Sequence, residues 1–362
     1  MVKIEKYDCK YLDGYRPCHF HKEKKVPCSE CPDYEPLSLR ILIIKLGAAG
    51  EVIRNTPILH KLRERFPTAE ITWLTNYPEL IPQAFVDRIV KYNLESSISL
   101  TEEQFDLLLS LDKETCSCAM ANKIQAKVKK GFYYSPLGKI LPFDSDAARK
   151  WMTGIDDNEM LKNDMHYVEE VFEICGYEWR GEKYILPQYP KSRLFDFGQI
   201  IVGLITGTSH IWKTRIPHIE KIEEILQLLI SKNYKIVLLG GPEEDQKNIA
   251  LKNKYKVHYF GVNPIEKFIN IMDNCDVIIT PVTMGLHLAI GLNKNVILLN
   301  NIFNKNEFYL YEKGTIIEPP LSCTGCYKKE FDEHCPVKDC TLLYDSQMVV
   351  QYIETAGASL RK

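Results

Sequence analysis

Short apolar runs alternate with amphipathic segments along most of the chain, and this alternation predicts its secondary structure. From residue 39 to about 185, runs rich in β-branched residues predict strands at 41–45, 70–74 and 105–111, and apolar residues at helical spacing predict a helix at 52–66. Pro67 ends that helix. This spacing is typical of βαβ units in a parallel sheet, so the first half is predicted to be an α/β domain.

The alternation begins again after a polar, proline-bearing stretch at 188–193, which we interpret as an interdomain linker. In the second half the pattern predicts strands at 199–204, 234–239, 276–280 and 296–299. It predicts helices at 219–230 and 286–292. Two such halves imply a cleft lined by the loops at the carboxyl ends of both sheets. The predicted domains are 37–190 and 191–345, after a cysteine-rich segment at 1–36 and before a C-terminal helix or tail at 346–362.

Residues 112–160 show no clear period. Within them, 144–160 carries several acids together with Arg149, Lys150 and Trp151. This stretch is either a loop or helix over the crevice that meets an acceptor, or a solvated insertion, and the pattern does not choose between the two.

The first strand ends in a turn of small residues, 47–50, which allows another group to approach the backbone closely. Glu51 follows at the first turn of the predicted helix, where the aligned peptide dipoles favour its ionised form. At the carboxyl end of a parallel strand it would face the crevice. Glu51 is therefore a candidate base, or else an acid that only complements the helix dipole. The turn lacks the G-x-G-x-x-G pattern of dinucleotide-binding proteins.

Composition narrows the class of protein. A length of 362 residues with 45% hydrophobic residues suits two domains, each with a sizeable core. The chain has 46 basic and 48 acidic residues, and the absence of a basic excess disfavours a nucleic-acid-binding protein. The chain has no apolar run long enough for a transmembrane helix, and its N-terminus lacks the apolar core of a signal peptide. We expect a cytoplasmic protein with no nucleic-acid partner and at most a peripheral membrane contact.

Eight of the 12 cysteines fall in two terminal clusters, each with a C-x-x-C pair. In a reducing compartment such clusters are more often metal ligands than disulfides. The segment 1–36 has no helical or strand period, so it is either floppy or ordered by a metal. The predicted structural metal ligands are Cys9, Cys18, Cys28, Cys31, Cys323, Cys326, Cys335 and Cys340. His19 and His21 are further candidates, and reduced, unligated thiols are the alternative for each cluster.

Four motifs occur in order: I-L-I-I-K-L-G-A-A-G-E-V-I-R-N-T-P at 41–57, W-K-T-R-I-P at 212–217, V-L-L-G-G-P at 237–242 and H-L-A-I-G-L-N-K-N-V at 287–296. Together they resemble glycosyltransferase family 9, the ADP-heptose-dependent heptosyltransferases of bacterial lipopolysaccharide assembly. The resemblance covers 39–345. It implies a GT-B fold of two Rossmann-like domains facing across a cleft, an inverting transfer without a catalytic metal, and an ADP-heptose donor held mainly by the C-terminal domain.

The resemblance assigns the catalytic roles. Glu51 stands where the family has an aspartate in a G-D-V motif, so it would deprotonate the acceptor hydroxyl, with a reach about 1.5 Å longer. The cation for the departing diphosphate is assigned to Lys213, with Arg215 as the alternative, because the register of the motif is fixed only to within one residue. The small residues of two turns complete this part of the nucleotide-sugar site: Gly47, Gly50, Thr208 and Ser209.

A second phosphate contact is predicted at the turn Thr283-Met284-Gly285, where a helix begins and free N–H groups face an anion. The family has an aspartate before this turn, where this chain has Val282. The loss of this acid is an argument against the family's standard donor, or against activity itself. His287 either contacts the phosphate or is a core histidine that orients the turn.

Gly241 and Glu243, with the neighbouring Glu244, fall where the family contacts the ribose or base of the nucleotide. A carboxylate that accepts from two ribose hydroxyls suits this role. The sequence G-G-P-E-E is equally typical of a turn that starts a helix, and both interpretations stay open.

The C-terminal cysteine cluster resembles the cysteine finger of some family members, including protein-modifying autotransporter heptosyltransferases in which the metal is iron. Four thiolates suit zinc or iron, and the cluster has no evident open ligand position. We therefore expect a structural metal there.

The leading hypothesis is an inverting glycosyltransferase that moves a heptose or similar sugar from an ADP-sugar to an acceptor hydroxyl. The acceptor would belong to the lipid A-core of lipopolysaccharide, to another surface glycan or to a protein, and an oligomer is compatible with this function. The alternative is a catalytically inactive family member that acts as a sugar-nucleotide-binding or scaffolding subunit. Val282 and the replacement of aspartate by Glu51 motivate that alternative.

Overall fold

The computed structural model describes residues 6–209 and 211–360, with side chains described as far as 356. The chain forms two compact units. The first comprises 6–46, 58–78 and 83–147, and the second comprises 47–57, 79–82 and 148–360. Residues 47–57 and 148–190, which lie in the predicted first domain, therefore make most of their contacts in the second unit.

The first unit contains a six-stranded sheet built by buried apolar runs such as Ile41 to Ile44. Its strands, in spatial order β3-β2-β1-β4-β5-β6, are β1 (Arg40–Ile44), β2 (Glu70–Thr75), β3 (Arg88–Lys91), β4 (Gln104–Ser110), β5 (Gln125–Tyr134) and β6 (Ile140–Pro142). All pairings are parallel except that of β5 with β6. The helices of this unit are α1 (His19–Lys24), α3 (Ile58–Arg65), α4 (Leu94–Glu102) and α5 (Thr115–Lys123).

The second unit contains a fully parallel sheet in the order β12-β11-β10-β7-β8-β9. Its strands are β7 (Ile201–Ile205), β8 (Lys235–Leu239), β9 (His258–Tyr259), β10 (Val277–Pro281), β11 (Asn295–Leu299) and β12 (Gly314–Ile317). Its helices are α2 (Ala49–Arg54), α6 (Ala148–Met152), α7 (Asp157–Lys162), α8 (Tyr167–Ile174), α9 (Ile219–Ser231), α10 (Asp245–Tyr255), α11 (Ile265–Asp273), α12 (Met284–Gly291) and α13 (Ser346–Leu360). Both sheets have the Rossmann strand order.

The predicted strands are confirmed to within about two residues, because each is a buried apolar run bounded by turn residues. The single helix predicted at 52–66 is wrong: the structure has two helices, α2 and α3, separated at 55–57. Pro57 explains the break, since proline lacks the backbone N–H and disfavours helical geometry in the residue before it. Within 144–160, where the pattern showed no clear period, the structure has two helices, α6 and α7, after a short 3₁₀ turn at Ser145–Ala147.

The cysteine-rich segment at the N-terminus has little regular structure, as its lack of periodicity predicts. α1 begins after Cys18, whose sulfur accepts from the His21 N–H, and a β-bridge pairs Cys9 with Pro36. Lys10 connects the segment to the body of the first unit through an ion pair with Asp87, at 2.9 Å. No helix within the described residues has both the length and the apolar character needed to cross a bilayer.

Candidate active site

The strand order of each sheet reverses at one point, between β1 and β4 in the first unit and between β7 and β10 in the second. In open α/β sheets, ligands bind beyond the carboxyl ends of the strands at such a point. The segments that follow β7 and β10 are 206–209 and 282–285. Both of the predicted phosphate-binding turns therefore lie at the switch point of one sheet.

The predicted base, Glu51, is on α2, which packs against α12 within the second unit. A Cβ atom at Gly50 would lie only 2.7 Å from His287 Cδ2, so the glycine is required for this close approach. Gly47, before the helix, is partly exposed. The Glu51 side chain is 40% exposed, and one of its oxygens lies 3.4 Å from a guanidinium nitrogen of Arg54. An acceptor can therefore reach the carboxylate from solvent.

Arg54, which sequence reasoning missed, is the centre of a buried charge cluster. Its guanidinium lies 3.4 Å from the centroid of the Tyr167 ring and 3.8 Å from a carboxylate oxygen of Glu307. Burial lowers the pKa of Arg54, but the charges of Glu51 and Glu307 more than compensate, and the pKa is raised overall. Its Nε is buried and has no hydrogen-bond partner among the described residues.

Lys150 and Glu170 extend this cluster. The Lys150 ammonium lies 2.6 Å from a carboxylate oxygen of the fully buried Glu170 and 4.9 Å from the centroid of the Tyr167 ring. Burial raises the pKa of Glu307, and the positive charges of Lys150 and Arg54 reduce that rise. We refer to Arg54, Lys150, Glu170 and Glu307 as the buried charge cluster, and Glu51 lies at its exposed edge. Its members come from four distant parts of the sequence, which is why periodicity gave no sign of it.

Arg215 lies at the switch point and contacts both of the turns that are predicted to bind phosphate. Its Nε donates to Thr208 Oγ1 at 3.1 Å, one terminal nitrogen donates to Ser209 Oγ at 2.9 Å, and the other donates to the Val282 carbonyl at 2.8 Å. Burial lowers the pKa of Arg215 to about 10. Within the described part of the chain the guanidinium contacts hydroxyl and carbonyl oxygens and forms no salt bridge with a carboxylate. This environment suits the binding of an external anion.

Lys213 has a different environment, although it lies on the same 3₁₀ turn as Arg215. Its side chain is 62% exposed, and its ammonium lies 2.7 Å from a carboxylate oxygen of Glu330. The structure therefore favours Arg215 over Lys213 as the cation at the switch point, the reverse of the preference drawn from the motif.

The turn at 283–285 leads directly into α12. Thr283 is the N-cap residue in extended conformation, and the side chains of Thr283 and Met284 are partly exposed. A Cβ atom at Gly285 would lie 2.1 Å from Ile205 Cδ1, so the helix start approaches β7 closely. The first N–H groups of a helix have no acceptor within the helix, and here they lie next to the Val282 carbonyl that Arg215 contacts.

His287 is a core histidine in this structure. It is 4% exposed, packs beneath Gly50 and stacks on Tyr184, whose hydroxyl lies 3.5 Å from Nδ1. Burial, followed by the charge of Arg54, lowers its pKa well below the ordinary value, so the ring is neutral at pH 7. The charge of Glu51 opposes this lowering of the pKa, and the charge of Arg215 adds to it.

Glu244, rather than Glu243, is held in the turn after β8. Its carboxylate accepts from the Gly241 N–H at 2.9 Å, and a Cβ atom at Gly207 would lie 2.5 Å from one of its oxygens. Glu243 is exposed on the same turn. Of the two, only Glu243 is exposed to solvent.

The two cysteine clusters each surround a cavity. Cys9, Cys18, Cys28 and Cys31 line one of about 520 Å³, together with His21 and several aromatic rings. Cys323, Cys326, Cys335 and Cys340 line one of about 20 Å³ beside Thr214 and Asn301. Among the described residues, no three histidine, cysteine or acidic side chains converge closely enough to hold a metal ion. Four thiols around one cavity are nonetheless a donor set that suits zinc or iron.

Two parallel sheets of Rossmann order, with an uncompensated cation at the switch point of one of them, are typical of nucleotide-binding α/β enzymes. The profile of glycosyltransferase family 9 (heptosyltransferase) matches residues 96–335. The chain belongs to this family and is a glycosyltransferase. A search of curated protein sequences gave no match.

Solved structures support the same fold. A family 9 glycosyltransferase from Veillonella parvula has a TM-score of 0.64 at 16% identity, over 88% of this chain and 97% of that one. E. coli heptosyltransferase WaaC, solved with ADP, has a TM-score of 0.63 at 15% identity, over 88% of this chain and 100% of that one. The iron-containing dodecameric glycosyltransferase TibC from enterotoxigenic E. coli has a TM-score of 0.56 at 14% identity, over 90% of this chain and 79% of that one. The fold is an α/β fold of two sheets resembling the GT-B heptosyltransferases.

Proposed function

We propose that this glycosyltransferase moves a heptose or similar sugar from an ADP-sugar to an acceptor hydroxyl, with inversion at the anomeric carbon. The observation that carries the proposal is Arg215, a half-buried cation at the switch point that contacts hydroxyl and carbonyl oxygens and, among the described residues, no carboxylate. Structural neighbours solved with ADP or with an ADP-heptose support the choice of donor. The acceptor hydroxyl belongs to lipid A-core, to another surface glycan or to a protein.

In the proposed reaction Glu51 takes the proton of the acceptor hydroxyl. The acceptor oxygen then attacks the anomeric carbon of the donor sugar. The bond between that carbon and the β-phosphate oxygen breaks, and ADP leaves with the electron pair. Arg215 and the N–H groups of the 283–285 turn stabilise the charge on the leaving diphosphate. Arg54 acts through Glu51 as a positioning residue, since it contacts that carboxylate and not the reacting atoms.

Release of ADP from ADP-heptose, measured with candidate acceptors, tests this function. Glu51→Gln is expected to lower turnover by about 10²–10⁴-fold, because the base is lost, while ADP affinity changes little. Glu95→Gln is the matched control, since Glu95 is also an acid in the first turn of a helix and lies in the first unit. If Glu51→Gln retains full turnover, Glu51 is not the base. Slow, acceptor-independent ADP release that Glu51→Gln leaves unchanged would favour a catalytically inactive, scaffolding protein instead.

We further propose that each cysteine cluster holds a structural zinc or iron. The supporting observation is that all four thiols of each cluster line one cavity, and the name of TibC gives a precedent for iron in this fold. Elemental analysis of the purified chain should find about two metal sites occupied per chain, one for each four-thiolate cluster. The absence of any metal would overturn this part of the proposal and leave the sugar transfer untouched.

The remaining parts of the proposal concern location and assembly. We propose that the enzyme works in the cytoplasm, has at most a peripheral contact with the membrane and has no nucleic-acid partner, in line with its balanced charge. An oligomer is also part of the proposal, supported by the name of the dodecameric TibC. Light scattering of the purified chain measures the oligomeric state directly, and a monomer at micromolar concentration would overturn the proposed oligomer.

A further inference from the structure

A second cation besides Arg215 contacts the turn at 206–209. The Nζ of Lys247, in the first turn of α10, donates to the Thr206 carbonyl at 2.7 Å. Within residues 6–209 and 211–356 the ammonium forms no salt bridge with a carboxylate, and its hydrogen-bond acceptor is this neutral oxygen. A lysine ammonium has further N–H donors beyond the one used here. Lys247 is therefore able to bind an external anion beside the turn.

The packing around Thr206 fixes the start of α10 and with it the position of Lys247. Asn248, the next residue, is fully buried, and its Oδ1 accepts from Thr206 Oγ1 at 2.6 Å. Burial lowers the pKa of the Lys247 ammonium, and the charge of Glu244 opposes this lowering. The Glu244 carboxylate itself accepts from the Gly241 N–H. A partly buried cation without a paired carboxylate costs free energy, which a bound anion would offset.

Lys247 and Arg215 approach the turn from the sides of two different strands. β7, which leads into the turn, lies between β8 and β10 in the sheet. Lys247 belongs to α10, which follows β8, whereas Arg215 contacts the carbonyl of Val282, which follows β10. Glu243, the exposed acid predicted to contact the ribose, also follows β8. From the β8 side to the β10 side, the chain thus presents a ribose candidate and Lys247 first and Arg215 last. This arrangement matches the order of ribose, α-phosphate and β-phosphate in ADP.

We propose that Lys247 binds the α-phosphate of the donor nucleotide, while Arg215 binds the β-phosphate. The inference rests on the proposed function, since it takes an ADP-sugar as the donor and Arg215 as a ligand of its diphosphate. The bond that breaks is at the β-phosphate, so the developing negative charge is largest near Arg215. Lys247 accordingly contributes mainly to nucleotide affinity, and Arg215 contributes to turnover as well.

The experiment compares the affinities of adenosine, AMP and ADP for the full chain, measured by calorimetry or by competition against ADP. Lys247→Gln keeps an N–H donor for the Thr206 carbonyl and removes the charge. We expect this variant to bind AMP and ADP about tenfold more weakly than wild type, by the same factor for both, because each carries an α-phosphate. Its affinity for adenosine, which has no phosphate, should not change. A purely structural role for Lys247 would weaken binding of all three ligands alike.

Three further variants sharpen the comparison. Arg215→Ala should weaken ADP binding more than AMP binding, because AMP lacks the β-phosphate. Lys247→Arg retains the positive charge and should recover most of the ADP affinity. Lys252→Gln is the matched control, since Lys252 is exposed on the same helix, and it should leave all three affinities unchanged. In the sugar-transfer assay, Lys247→Gln should raise KM for the ADP-sugar and change kcat little.

The outcomes separate this inference from the proposed function. Lys247→Gln with wild-type affinity for AMP and ADP overturns the contact with the α-phosphate, and so does an equal loss of affinity for adenosine. A loss for ADP alone overturns the division of the diphosphate between the two cations. Each of these results leaves the proposed function standing. Failure of wild type to bind ADP or an ADP-sugar overturns the proposed donor, and the role of Lys247 with it.

Discussion

Two arginines of the second unit, Arg54 and Arg215, have opposite electrostatic surroundings. Arg54 lies near the carboxylates of Glu51 and Glu307, and its pKa is raised overall. Arg215 contacts neutral oxygens, and burial lowers its pKa to about 10. Carboxylates of the protein compensate the first charge, and we propose that an anionic ligand compensates the second. We therefore expect loss of Arg54 to affect stability first and loss of Arg215 to affect binding first.

The largest expected effect is on stability, in Arg54→Met. Removing one partner of a buried ion pair leaves the other charge uncompensated and costs about 3–5 kcal/mol of unfolding free energy. Urea unfolding measures the loss. The double variant Arg54→Met, Glu307→Gln should recover part of it, because no buried carboxylate is then left without a partner. An Arg54→Met chain as stable as wild type would show that the cluster contributes nothing to the fold.

Arg215→Ala should have the next largest effect, on ADP affinity rather than on stability. Loss of a charge that pairs with a buried anion is expected to weaken ADP binding by about 2–4 kcal/mol, roughly 30- to 1,000-fold. The urea midpoint should stay the same or rise, since an uncompensated cation has been removed. Lys213→Ala serves as the control, because that side chain is exposed and paired with Glu330, and it should change ADP affinity less than threefold, about 0.6 kcal/mol. Equal losses in both variants would contradict the contrast between the two cations.

Val282→Asp should make the surroundings of Arg215 resemble those of Arg54. Arg215 contacts the backbone carbonyl of Val282, so we expect an acid introduced at that residue to lower the positive potential around the guanidinium and to oppose binding of the diphosphate. ADP affinity is expected to fall about tenfold, or 1.4 kcal/mol, in calorimetric titrations. Val282→Asn, which adds a polar group of similar size without a charge, separates competition from a packing defect. Tighter ADP binding by Val282→Asp would show that Arg215 does not rely on the absence of an acid here.

The smallest expected effect concerns a second base whose pKa burial lowers, His166, although a carboxylate oxygen of Glu169 lies 3.8 Å from its Nε2. His166 stacks on Tyr309, and burial lowers its pKa to about 4 from an ordinary value of 6.5. Below pH 6.5 the unfolded chain therefore binds more protons than the folded one, and stability falls as pH drops from 6.5 towards 4. We expect a loss on the order of 1 kcal/mol between pH 7 and 5, after allowance for solvent screening.

The measurement for His166 is the urea midpoint as a function of pH. His166→Asn retains an acceptor for the Glu169 N–H at the start of α8 and should flatten the curve between pH 6.5 and 4. Part of the slope will remain, because burial also lowers the pKa of His287. An unchanged curve in His166→Asn would mean that His166 is solvated in solution.

The sequence was informative where burial alone decides structure. The apolar runs that became β1, β4, β7 and β10 are enclosed on both faces, and their β-branched residues leave little choice but a parallel sheet. Short, half-buried strands such as β3 lack that signal, and so escaped prediction. The motifs were sufficient to predict the family, which the profile match confirms.

The site was less predictable, because its electrostatics depend on contacts between distant segments. Lys213 and Arg215 are two residues apart and equally basic, and only the positions of Glu330 and Thr208 distinguish them. Arg54 falls within the same motif as Glu51, and its partner Glu307 lies over 250 residues away. No local pattern contains that information.

The assignment of residues 47–57 to the second unit has a consequence for protein engineering. This segment covers His287 with Gly50 and inserts Arg54 beside Tyr167 and Glu307. A chimera that exchanges the N-terminal half at residue 190 would bring a foreign version of this segment into the recipient's core. Domain swaps between relatives should therefore graft the first half around 47–57 and retain the host's own copy.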